Sequence, residues 1–128
     1  MSQNMKIKWG WVIALIIIIG LVVYGVIVNN RPSELDDFAQ CLAEKEAIFY
    51  GAFWCPHCQA QKEMFGNSSK YLPYIECSTP DGKSQKKVCD DAGIEGYPTW
   101  VFADGSRLSG EVELEALAAK TGCELLTN

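Results

Sequence analysis

The sequence predicts an α/β fold: a mixed four-stranded sheet with flanking helices, preceded by one N-terminal transmembrane helix. Three observations predict it. Residues 11–28 (WVIALIIIIGLVVYGVIV) carry no charge and are almost wholly apolar. From Ser33 onward, short apolar runs alternate with stretches of helical spacing, the pattern of strands joined through helices. Late in the chain Asp104-Gly105 offers a hairpin turn, so the last two strands are neighbours and antiparallel.

With Trp9 and Gly10 the apolar run reaches about twenty residues, the length that crosses a hydrocarbon core of about 30 Å. A cleaved secretory signal has an apolar region of only about 7–15 residues followed by a small-residue site. Here the run is longer, and Val28-Asn29-Asn30-Arg31 provides no such site. The run is hydrophobic all round, unlike a surface helix. Residues 9–28 are therefore expected to be a membrane anchor in contact with lipid, with 1–8 a cytoplasmic tail and 29–33 a linker. Residues 34–128 then form the folded domain, large enough for one modest core. Lys6 and Lys8 precede the span and Arg31 follows it, which places the N-terminus in the cytoplasm and the domain outside.

Within the domain, Ser33 is a candidate N-cap for a helix over Glu34–Lys45, with Leu35, Phe38 and Leu42 on one face and Asp36 and Asp37 at its positive end. Ala47–Phe53 is short, apolar and aromatic, as a buried central strand is. A helix follows from Cys55, with Pro56 in its first turn and Gly66 closing it. Tyr74–Cys77 is a second strand and Thr79-Pro80-Asp81-Gly82 a turn, after which Ser84 can cap a short helix through Asp91. Thr99–Ala103, a short fourth strand beyond Asp104-Gly105, and a closing helix over Leu114–Thr121 complete the order.

All sixteen acidic residues lie beyond residue 30, with nine of the eleven basic ones, so this part carries a formal charge of −7. No basic stripe is present, which excludes a nucleic-acid surface. All six cysteines also lie beyond the span, a dense even set that reads as disulfide chemistry in an oxidising compartment.

Cys55-Pro56-His57-Cys58 directly follows the first strand and opens a helix. At such a position the first thiol meets the unpaired N–H groups and positive end of the helix, which favour its thiolate, and His57 could stabilise it further. Cys58, one turn in, would be the resolving thiol. A zinc knuckle uses the same half-site, but it needs a second close ligand pair, and eleven residues separate Cys77 from Cys89. Asn67-Ser68-Ser69 matches a glycosylation acceptor and is read as a chance match.

The segments Trp54-Cys55-Pro56-His57-Cys58 and Tyr97-Pro98-Thr99 resemble the thioredoxin superfamily. The Pro-His dipeptide is similar to the periplasmic disulfide oxidases of DsbA type. FYGAFWCPHCQAQKEMFG, YIEC, VCDDAGIEGYPTW and LEALA resemble the small thioredoxin-like domains fused to, or partnered with, bacterial homologues of vitamin K epoxide reductase. The resemblance implies Cys55 and Cys58 as catalytic residues and a cis peptide at Tyr97–Pro98 facing them. It implies supporting roles for Trp54, Pro56, His57 and Tyr97, with Trp54 partly exposed beside the site. Tyr97 is equally readable as a core aromatic. One departure matters: cytoplasmic thioredoxins carry a buried aspartate six residues before the first redox cysteine, where this chain has Phe49. The large helical insertion of DsbA proteins is absent too.

A Cys77–Cys89 bridge would close a loop of about a dozen residues, worth roughly 3 kcal/mol in the chain-entropy model, and the resemblance points to the same pairing. A second redox pair is the alternative. Cys41 and Cys123 could pair or remain free thiols. The expected function is a membrane-anchored extracytoplasmic thiol–disulfide oxidoreductase with no cofactor beyond its redox-active disulfide and no metal. Its expected partners are cysteine-containing substrate proteins and a quinone-linked membrane oxidoreductase resembling vitamin K epoxide reductase. The alternatives are a tethered thiol reductant of the cytochrome c maturation type and a non-enzymatic metal-binding module.

Overall fold

A computed structural model of the chain describes residues 2–30 and 32–126, and of residues 2–8 the backbone only. Lys6, Lys8 and Arg31, on whose side chains the expected orientation rests, lie outside that description. The chain divides into two units, residues 1–32 and 33–128.

The first unit is one helix, α1 (Ser2–Asn29). Its stretch Trp9–Asn29, 21 residues long with a mean hydropathy of 3.0 over an 18-residue window, is long and apolar enough to cross a membrane.

The second unit contains α2 (Asp36–Glu44), β1 (Ile48–Gly51), α3 (Pro56–Phe65), a 3₁₀ helix (Gly66–Tyr71) and β2 (Tyr74–Glu76). It continues with α4 (Lys87–Asp91), β3 (Thr99–Val101), β4 (Arg107–Ser109) and α5 (Leu114–Thr121). The sheet order is β2-β1-β3-β4. β1 runs parallel to β2, with Gly51 opposite Glu76, and antiparallel to β3, with Phe49 opposite Trp100. β3 and β4 form the closing hairpin.

The two faces of the sheet bury different amounts. Phe49 and Trp100 point to the larger core, where their rings stack 4.9 Å apart. Phe38 and Leu42 of α2, Phe65 of α3 and Leu117 of α5 pack there. Tyr50, with Ile48, Ile75 and Val101 beside it, points to the other face, covered by Cys77, Cys89 and Ile94. Helices on both faces therefore follow from the period-two alternation of β1 and β3.

Two expected caps are placed differently. α2 begins at Asp36 rather than Glu34, because the Ser33 N–H donates to the Asp36 carboxylate at 3.0 Å and turns the chain one step before the helix. The Ser68 hydroxyl holds the other oxygen of that carboxylate at 2.7 Å. α4 begins only at Lys87 and has no side-chain cap, since Ser84 is engaged in the preceding turn, its carbonyl accepting from Thr79 N–H. Gly66 does end α3, with φ 53°, but the chain continues into a 3₁₀ turn that the sequence pattern did not indicate. Ser68 is fully buried in that turn.

Two disulfides cross-link the unit. Cys77–Cys89 spans 12 residues and Cys41–Cys123 spans 82. The chain-entropy model then ranks them: about 3 kcal/mol for the short loop and about 4.5 kcal/mol for the long one. Denaturant unfolding should show the Cys41→Ala/Cys123→Ala protein less stable than Cys77→Ala/Cys89→Ala by roughly 1–2 kcal/mol. The reverse order would mean that native packing at the bridges outweighs loop closure.

Candidate active site

The site lies where β1 runs out into α3. The Cys55 N–H donates to the Ala52 carbonyl at 3.0 Å, and this turn delivers Cys55 to the N-cap of α3. Pro56 occupies the first helical position, where no N–H is needed. The Cys58 N–H donates to the Cys55 sulfur at 3.4 Å, so a thiol stands where a Ser or Asp oxygen would cap a helix. The geometry places the Cys55 sulfur at the positive end of the helix. Its S–H also faces the Tyr97 carbonyl at 3.8 Å. Both cysteines are free thiols in this structure.

Cys58 is 1% exposed and packs directly on β1. Gly51 permits this: a Cβ at that position would lie 3.0 Å from the Cys58 sulfur and 2.9 Å from the Tyr74 ring. Burial, followed by the hydrogen bond with Cys55, pushes the Cys58 thiol from its usual 9.0 up to about 12. Beside it the Tyr74 hydroxyl donates to Glu76 at 2.7 Å, and the Lys62 ammonium lies 3.4 Å above the Tyr74 ring centre. Burial also raises the Tyr74 phenol. Glu76 accepts from the backbone of Phe53 at 3.2 Å and of Ser78 at 2.9 Å, which ties the segment before Cys55 to the end of β2.

The Tyr97–Pro98 peptide is cis. Pro98 is fully buried and Tyr97 half-buried, its ring edge-on to Trp54 at 5.9 Å. Trp54 is half-exposed and its indole N–H donates to the Ser78 hydroxyl at 2.9 Å. The Nδ1 of His57 lies 2.6 Å from Glu111, and the imidazole is 71% exposed. Among the described residues, the hydrogen-bonding groups at the Cys55 sulfur are the Cys58 N–H and the Tyr97 carbonyl. Cys77 is bridged to Cys89 and Cys41 to Cys123.

Four polar residues that shape the site went unnoticed in the sequence: Gln61, Ser78, Gln85 and Glu111. A signal existed for Gln61, because positions 58, 61 and 65 form one buried helical stripe and an amide there must find partners. It does, with Val112 N–H at 2.7 Å, Val112 O at 3.0 Å and the Trp100 indole at 3.3 Å. The others pair across the fold and carry no local pattern.

A thioredoxin family model matches residues 31–121. The chain belongs to the thioredoxin family. It is 56% identical over 84 residues to the thiol-disulfide oxidoreductase LTO1 of Arabidopsis thaliana, an alignment covering 62% of this chain and 22% of that protein. It is 35% identical over 83 residues to the thioredoxin domain-containing protein 5 homolog of Drosophila melanogaster, covering 56% and 19%. A third relative, the protein disulfide isomerase-like 2-1 of rice (Oryza sativa subsp. japonica), is 36% identical over 89 residues, covering 62% and 24%. This thioredoxin-family chain thus spans about a fifth to a quarter of these curated relatives.

The raised Cys58 thiol has a measurable consequence for stability. The folded reduced protein holds this proton more tightly than the unfolded chain, so the associated stability is fully present below about pH 9 and is lost as pH rises toward about 12. Urea unfolding of the reduced protein between pH 8 and 11 should show a steeper loss than the Cys58→Ala variant. Equal slopes would show that the thiol is not shielded from water.

Proposed function

We propose that this chain is a thiol–disulfide oxidoreductase, anchored in a membrane by α1, whose Cys55–Cys58 pair works outside the cytoplasm and oxidises substrate protein thiols. The observation that carries the reading is the Cys55 sulfur at the N-cap of α3, with Cys58 shielded one turn behind it. The names of the relatives, an oxidoreductase and a disulfide isomerase-like protein among them, support the same chemistry.

In the oxidised state a substrate thiolate attacks Cys55, the Cys55–Cys58 bond breaks, and Cys58 takes up a proton. A second substrate thiolate then attacks the substrate sulfur of the mixed disulfide. The substrate leaves with a disulfide and two electrons stay on the pair. A separate disulfide exchange with a quinone-linked membrane oxidoreductase, similar to vitamin K epoxide reductase, restores Cys55–Cys58; this partner is inferred from the resemblance of the domain's segments.

Two features support the oxidising direction. A mixed disulfide at Cys55 has two exits, attack by Cys58 or attack by the substrate's second thiol. Only thiolates attack, and burial holds the Cys58 thiol up, which slows the first exit. A reductant depends on that first exit. Second, Phe49 fills with an apolar ring the position at which cytoplasmic thioredoxins carry a buried acid. A metal-binding module is disfavoured because four of the six sulfurs are already in disulfides. The extracytoplasmic placement rests on all six cysteines following the apolar helix.

Cys55→Ser should abolish exchange, and Cys58→Ser should accumulate mixed disulfides with substrates on non-reducing gels. The pair's potential should lie nearer about −120 mV, the range of strong periplasmic oxidants, than about −270 mV, that of thioredoxin. Normal turnover by Cys58→Ser would refute the assigned roles, and a potential near the lower value would reverse the direction. Protease added to spheroplasts should cleave the domain; full protection would overturn the topology.

A further inference from the structure

The segment between Cys77 and Cys89 is tied to both aromatic residues beside Cys55. Its ends are joined by the Cys77–Cys89 disulfide, whose two residues are fully buried. Inside the loop a bridge pairs Ser78 with Gln85, and Thr79 N–H donates to the Ser84 carbonyl at 2.9 Å. Ser78 accepts the Trp54 indole N–H at 2.9 Å, and Gln85 accepts the Tyr97 hydroxyl. The Gln85 amide nitrogen is itself fixed by Asp90 at 2.7 Å and the Ile94 carbonyl at 2.9 Å. At the loop's tip Gly82, with φ 70°, sits against the same indole: a Cβ there would lie 3.6 Å from Trp54 and 3.8 Å from Phe53. Phe53 and Trp54 are each about half-exposed.

These contacts converge on the reacting sulfur, because the Tyr97 carbonyl faces Cys55 at 3.8 Å and Trp54 precedes it in the chain. A single cross-linked loop therefore sets the position of two aromatic side chains beside Cys55.

We propose that the disulfide-closed segment 77–89 is a recognition rim for cysteine-bearing polypeptides, and that Ser78 and Gln85 are positioning residues acting through Trp54 and Tyr97. This rests on thiol exchange at Cys55, as read above. The rim gives the site its preference for a polypeptide thiol over a small one, since the aromatic surface contributes to binding only while it is held in place. Losing one of these side-chain hydrogen bonds should weaken polypeptide binding about three- to ten-fold.

The test uses the full-length oxidised protein in detergent, with a reduced two-cysteine peptide of about ten residues and dithiothreitol as the two electron donors. Ser78→Ala and Gln85→Ala should lower kcat/KM for the peptide, through KM, three- to ten-fold more than they lower the rate with dithiothreitol. Ser78→Thr, which keeps the hydroxyl, should restore the wild-type ratio. Tyr97→Phe, which keeps the ring, should reproduce Gln85→Ala, and the two together should be no worse than either alone. Equal losses with both donors, or additive effects of Gln85→Ala and Tyr97→Phe, would overturn the rim. Wild-type protein that exchanges with neither donor would instead remove the oxidoreductase reading beneath it.

Discussion

The helix that carries the cysteine pair is held to the sheet by a fully buried polar side chain, Gln61. Its amide oxygen accepts from the Val112 backbone and from the Trp100 indole, and its nitrogen donates back to the Val112 carbonyl. One side chain thus connects α3, the centre of β3 and the segment entering α5. A buried amide left without partners would cost on the order of 1–3 kcal/mol, so α3 cannot rotate or slide without breaking a satisfied set. The N-terminus of α3, and with it the Cys55 sulfur, inherits that position. Shape complementarity alone would allow α3 to settle in several registers; directional hydrogen bonds leave one.

From this placement the inequality of the two sulfurs follows. A helix N-cap is a boundary position, lined by the unpaired N–H groups of the first turn. A position three residues later is on the first full turn and faces whatever the helix packs against. Cys55, 5% exposed, takes the first environment and Cys58, 1% exposed, the second, against Gly51 and Tyr74. The C-x-x-C spacing therefore does more than bring two thiols within bonding reach. It assigns them different surroundings, the first sulfur at the N–H groups of the helix end and the second against the sheet.

Much of this was legible in the residues. Helix and strand order, the hairpin at Asp104-Gly105 and the location of Cys55 at a helix start all rest on local patterns: alternation, a turn dipeptide, and a proline one position inside. What could not be read were interactions between residues distant in sequence with no periodic mark. The Ser78–Trp54 and Gln85–Tyr97 contacts span 24 and 12 residues, and each joins a loop to the site. His57 illustrates the limit. Sequence adjacency suggested the sulfur as its neighbour and gave no sign of its hydrogen-bond partner Glu111, 54 residues on. Ser33 and Ser84 illustrate another, since a hydroxyl near a helix start competes with other donors and acceptors and does not always cap.

The two faces of the sheet show why a disulfide sits where it does. Among the described residues, fifteen buried apolar side chains form the core under α2, α3 and α5, against four on the α4 face, two of which are Cys77 and Cys89 themselves. α4 is only five residues long, too short to contribute much apolar area, and β2 at the sheet edge is three residues long. Apolar burial cannot hold such a thin layer, and a cross-link that reduces the freedom of the unfolded loop can. The consequence reaches the site, because the loop so fastened is the one that contacts Trp54 and Tyr97. A larger α4 face could have supplied the same rigidity with leucines and valines. In this domain the same element serves twice: one pair of cysteines stands at the start of α3, and another fastens the loop that holds the surroundings of that pair in place.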